Sequence, residues 1–84
     1  MYTVYVTASA AKEINAIAEP FRTRIMEAIR SLAVEPRPHG CKKLKGSDSD
    51  YRIRIGTYRV IYEVADKLVR VTVTKAGHRR EVYD

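Results

Sequence analysis

The stretch that decides the fold is Tyr51 to Val64, YRIRIGTYRVIYEV. Its first five residues set Ile53 and Ile55 against Arg52 and Arg54, the two-residue period of a strand with one face buried. Its last seven repeat the pattern, with Val60, Tyr62 and Val64 on the apolar side and Arg59 opposite them. Between the runs lies Gly56-Thr57. A Gly-X pair joining two alternating segments predicts a two-residue hairpin of type II′, because glycine accepts the positive φ of the first central position. Two chemically opposite faces follow from that register.

Moving toward the C-terminus, Asp66-Lys67 is a short turn and LVRVTVTK (68–75) a further antiparallel strand, with Val69, Val71 and Val73 predicted inside and Arg70, Thr72 and Thr74 outside. On the other side, VEPRPHGCKKLKG (34–46) is broken by Pro36, Pro38 and Gly40 and forms a basic connection carrying Lys42, Lys43 and Lys45. Upstream, Phe21, Ile25, Ala28, Ile29 and Leu32 fall on one helical stripe, with Pro20 suited to the first turn. Ile14, Ile17 and Ala18 mark an earlier helix, with Ser9 as its expected N-cap. YTVYV (2–6) alternates again as a strand. The order is β-α-α-β-β-β, an α+β fold with an antiparallel sheet and a two-helix hairpin packed on one face.

The 84 residues are read as a single domain, 1–84, with 45% hydrophobic and 31% charged residues, and no apolar run is long enough to span a membrane. The start has neither the basic residues nor the long apolar stretch of a signal peptide, and a single cysteine fits a reducing cytoplasm. Net charge is +6, unevenly placed: residues 1–34 hold 4 basic and 3 acidic side chains, residues 35–84 hold 12 and 7. That asymmetry points to a polyanionic partner such as nucleic acid.

If the helices cover the valine and isoleucine face, the other face is open to water and carries Arg52, Arg54 and Arg59 on adjoining strands. Polar residues are ordinary on such a face, but clustered arginines suit phosphate, which a planar guanidinium binds through two parallel hydrogen bonds. The ending KAGHRREVYD (75–84) leaves the last strand through Gly77 and can bend across that face, bringing Arg79 and Tyr83 toward the arginines. Together these groups could cleave RNA without a metal. A base takes the proton of the 2′-hydroxyl, cations hold the pentavalent phosphate, and an acid meets the leaving 5′-oxygen. Nearby positive charge favours phenolate at Tyr83. His78 is a candidate for acid, base or phosphate contact. His39, Cys41 and His78 lack zinc-site spacing, and the glycines form no phosphate loop.

The runs KKLKGSDSDYRIRIGTYRVIYEV and GHRREVY resemble the RelE branch of the RelE/ParE toxin superfamily, and the element order agrees over essentially the whole chain. The resemblance implies the toxin of a type II toxin-antitoxin pair, a ribosome-dependent mRNA endoribonuclease acting in the A site by metal-independent 2′-hydroxyl attack and needing no cofactor. It implies a RelB-like antitoxin as partner, with the ribosome and messenger RNA. It carries catalytic roles onto Arg59, Arg79 and Tyr83, and RNA binding onto Arg52 and Arg54, where the best-known members have lysine. Arginine stays protonated, so a general-base role does not transfer to those two positions. Lys42, Lys43, Lys45 and His78 complete the expected RNA-binding set. Two other functions remain open: a ParE-like inhibitor that binds DNA gyrase, and an inactive nucleic-acid-binding relative.

Overall fold

The computed structural model describes residues 1–80 and Val82. The chain runs β1 (Thr3–Val6), α1 (Ala8–Asn15), α2 (Phe21–Ser31), β2 (Lys42–Lys43), β3 (Asp50–Ile55), β4 (Tyr58–Ala65), a 3-10 turn (Asp66–Leu68) and β5 (Arg70–His78). The sheet order is β1-β5-β4-β3-β2. The α+β class and the helices on one face are as expected. Two details differ. The sheet is mixed, because β1 runs parallel to β5, Val4 opposite Val71 and Val6 opposite Val73. The helical hairpin between the first strand and the others carries the chain back across the sheet, so β1 enters in the same sense as β5. The basic connection also contains a short edge strand, Lys42 opposite Arg52 and Lys43 opposite Tyr51.

The hairpin forms as its sequence dictates, Ile55 pairing with Tyr58 around Gly56-Thr57. Gly56 has φ +59°, the conformation that a first-position glycine supplies. A Cβ at Gly56 would lie 2.9 Å from the Phe21 ring, so α2 also sits close over the turn. Ile14 and Ile17 from the first helical segment, and Ile25, Ile29 and Leu32 from the second, are buried against Ile53, Val60, Tyr62, Val64, Val71 and Val73. The cap of α1 is Thr7 rather than Ser9: the Ala10 N–H donates to Thr7 Oγ1 at 3.1 Å. Before α2, Glu19 takes the capping role, accepting from the Thr23 N–H and hydroxyl at 2.9 and 2.8 Å. The hydrogen bond from the Thr23 N–H holds the Glu19 carboxyl below the usual carboxylate range.

The last strand departs most from its expected pattern. Val69 is outside the core, left-handed at φ 50° and closing the 3-10 turn, so β5 begins at Arg70. A bulge follows: Ile61 pairs with Lys75 but Tyr62 pairs with Val73, leaving Thr74 as the extra residue, its hydroxyl donating to Ile61 O at 3.3 Å. The alternation resets, Ala76 becomes buried, and the strand continues through KAGH to His78. Among the described residues, no helix is long and apolar enough to cross a membrane.

Candidate functional site

The hairpin puts Arg54 directly opposite Arg59, and such cross-strand pairs bring like charges within about 5 Å at Cβ. Beyond His78 the chain turns over. The Arg79 N–H donates to Thr57 O at 2.8 Å, the Val82 N–H donates to His78 O at 3.2 Å, and Arg59 Nη1 donates to Val82 O at 3.3 Å. The first and third of these bonds tie the tail to the turn end of β3 and β4, and the second closes the tail on the end of β5. The result is a concavity of about 110 Å³ lined by Arg54, Gly56, Thr57, Tyr58, Arg59 and Arg79. A cavity of that size, with three arginines in its lining, suits a single anionic group such as a phosphate.

Not every expected site residue joins it. Arg52 is only 4% exposed, against the expectation of an arginine open to water. Ile61, its cross-strand neighbour, is 8% exposed, and Val82 1%, although neither belongs to the core between sheet and helices. A second, smaller buried layer therefore lies on the far side of the sheet. Strand alternation cannot reveal it, because it depends on the tail folding back. Lys42, Lys43 and Lys45 are exposed along and just beyond the β2 edge, Lys42 directly across from Arg52. His78 lies on the helix side, paired with Tyr58 and edge-on to its ring at a centroid distance of 5.7 Å. The bulge puts it there, by shifting the alternation of β5 one residue before the strand's last turn of pleat. Tyr83 lies outside the described residues.

Tyr51 and Tyr62 stack at 5.9 Å within the core, which removes both as base-stacking groups. Burial raises the pKa of the Tyr62 phenol, whose hydroxyl donates to Pro36 O at 2.8 Å. At that end of the sheet, Arg37 Nη2 lies 2.7 Å from Asp66 Oδ2 and Arg37 Nε donates to the Tyr51 hydroxyl at 3.0 Å. The Tyr2 hydroxyl also donates to Asp66, at 2.6 Å. Sequence separation hides this cluster, since its members come from four distant segments. Among the described residues, no three His, Cys, Asp or Glu side chains are grouped to hold a metal ion.

Two helices thus lie on one face of a five-stranded mixed sheet, and hairpin and tail arginines meet at one concavity. Residues 4–83 match the family described as the ParE toxin of the type II toxin-antitoxin system, parDE, and the chain belongs to that family. It is a RelE-like member. Toxin RelG of Mycobacterium tuberculosis is 26% identical over 83 residues, covering 98% of this chain and 95% of that protein. The toxin fold superposes on the archaeal RelE-RelB complex of Pyrococcus horikoshii with a TM-score of 0.83 at 29% identity, covering 96% of this chain and 98% of that one. The isolated RelE toxin of Escherichia coli gives 0.81 at 26%, with 93% and 84% covered.

Proposed function

We propose that this toxin is a ribosome-dependent endoribonuclease that cuts messenger RNA by attack of a 2′-hydroxyl on the adjacent phosphate. The observation that carries the reading is the concavity shared by Arg54, Arg59 and Arg79. Among the described residues neither Arg54 nor Arg79 has an ion-pair partner, so their charge is available to a ligand. In the proposed reaction Arg59 clamps the scissile phosphate before and during attack. Arg79 stabilises the charge that develops on the pentavalent phosphorus, and Tyr83 moves a proton. Lys42, Lys43, Lys45 and Arg54 hold the RNA by charge. Arg52, being buried, supports that surface and contributes field more than contact.

A cognate antitoxin similar to RelB is the proposed partner, on the strength of relatives crystallised as RelE-RelB complexes. An acidic, partly disordered segment suits the basic face, with which it would compete against RNA. The matching family bears the ParE name, so the second reading is the one that the ParE resemblance implies, inhibition of DNA gyrase by binding. One experiment separates the two. The toxin is induced, RNA ends are mapped on translated and untranslated messages, and plasmid supercoiling is assayed in parallel. Cuts confined to translated messages with unchanged supercoiling are expected; gyrase-linked DNA breaks with intact messages would overturn the nuclease reading.

A further inference from the structure

A second and larger cleft, about 370 Å³, lies on the helix side of the same sheet end, lined by Glu13, Ala16, Ile17, Tyr58, Ala76, Gly77 and His78. It shares Tyr58 with the arginine concavity. His78 and Arg79 are consecutive, and they line the cleft and the concavity respectively. We propose that this cleft is a nucleobase subsite, which takes the base of a nucleotide whose phosphate is held by Arg54, Arg59 and Arg79. The inference rests on the RNA-cleavage reading and gives that site a means of sensing the base beside the cut.

The chemistry of the lining selects a base over other occupants. Glu13 Oε1 is committed to the Ala76 N–H at 3.1 Å, whereas Oε2 has only Lys75 Nζ, at 3.8 Å, among the described residues and keeps acceptor capacity. The Arg80 N–H donates to His78 Nδ1 at 3.3 Å, which in the neutral ring leaves Nε2 as the protonated donor. One acceptor and one donor at the rim match the edge of a nucleobase, which offers both an N–H and a ring acceptor. The Glu13 carboxylate repels a phosphate and so keeps the two halves of a nucleotide on their own sides. Tyr58 is backed by Phe21 at 5.2 Å, so its ring is held in place. Its edge-to-face contact with His78 leaves ring faces available that a stacked pair would hide. Ala16, Ile17 and Ala76 supply the apolar wall.

The test is an NMR titration of the full chain with adenosine 3′-monophosphate, cytidine 3′-monophosphate and ribose 5-phosphate. Both nucleotides are expected to move the His78 ring signals, while ribose 5-phosphate moves the arginine side chains and Tyr58 and leaves His78 in place. Binding of each nucleotide relative to ribose 5-phosphate should weaken roughly tenfold or more in His78→Ala, the scale of losing a stacking group. Glu13→Gln, which keeps the bond to Ala76, should lose part of it. On ribosomes, the spread of cutting rates among messages differing only at the base beside the cut should narrow in both variants. Equal movement of His78 by nucleotide and ribose phosphate overturns the subsite. So does a His78 signal that responds only to an antitoxin peptide, which would assign the cleft to a protein partner. A wild-type toxin that cuts no message overturns the nuclease reading instead, and the titration still decides the subsite by itself.

Discussion

At the Ala65 end of β4, Arg37 is matched inside the protein: a carboxylate takes its two terminal nitrogens, at 3.2 and 2.7 Å, and a phenol takes its Nε. At the Tyr58 end, Arg59 faces Arg54 across the hairpin, Arg79 closes the same concavity, and one bond from Arg59 goes to the Val82 carbonyl. One end uses arginine to join four segments. The other leaves Arg54 and Arg79 without an ion-pair partner among the described residues, a disposition that an entering anion stabilises. The difference separates a structural from a ligand-binding use of one residue type, and substitutions at the two ends should therefore act on different observables.

The largest effect is expected from the concavity. Arg79→Ala should reduce single-turnover cutting on saturated ribosomes by on the order of a hundredfold or more, while ribosome affinity changes much less, because its contribution exists mainly in the transition state. Arg59→Ala should lower both. Thermal stability should be near wild type for Arg79→Ala, which is exposed. Unchanged cutting in Arg79→Ala would remove the functional side of the contrast and leave a basic tail.

Next in size is the turn that holds Arg54 against Arg59. Gly56→Ala places a Cβ at positive φ and 2.9 Å from Phe21, and should cost about 1–3 kcal/mol in urea unfolding. If Phe21 yields easily, the cost falls to the lower end, and activity should fall with hairpin geometry rather than with charge. A smaller effect belongs to Arg54→Ala: affinity for ribosomes should drop and the slope of log affinity against log salt should flatten by about one phosphate contact. A slope equal to wild type would mean that Arg54 does not meet RNA.

The hairpin, its two faces and both helical stripes were legible because each rests on local periodicity and one turn residue. Arg54 and Arg59 could be assigned to one face for the same reason, whereas Arg79 is placed beside them only by a bend of the chain after Gly77. What escaped the sequence depends on contacts between distant segments. The bulge at Thr74 moves His78 to the helix side, and nothing in LVRVTVTKAGH marks where a strand gains a residue. Burial of Arg52 and of Val82 has no local mark either, and Val82 looks like any surface valine in RREVYD. The parallel placing of β1 follows from the path of the helices, which periodicity does not encode.

The smallest effect is expected at the matched arginine, where it should appear in stability alone and only through pH. The Arg37 guanidinium, with the Tyr2 hydroxyl, holds the Asp66 carboxyl below its usual range, so the cluster's contribution is present above about pH 4, the unfolded value, and fades as pH falls through the lower folded one. Tyr2, raised by its bond to Asp66, sets the opposite limit: its contribution is present below about pH 10 and is lost as pH rises through the folded value. Asp66→Asn should therefore flatten the dependence of the thermal midpoint on pH at both ends while changing it little near neutrality, because Arg37 and Asp66 are partly exposed, 38% and 54%, and water screens the pair. Message cutting should stay at the wild-type rate. If Asp66→Asn instead slowed cutting without shifting the acid limb of the stability curve, the two ends of β4 would be coupled, and the division between a joining arginine and a binding one would have to be abandoned.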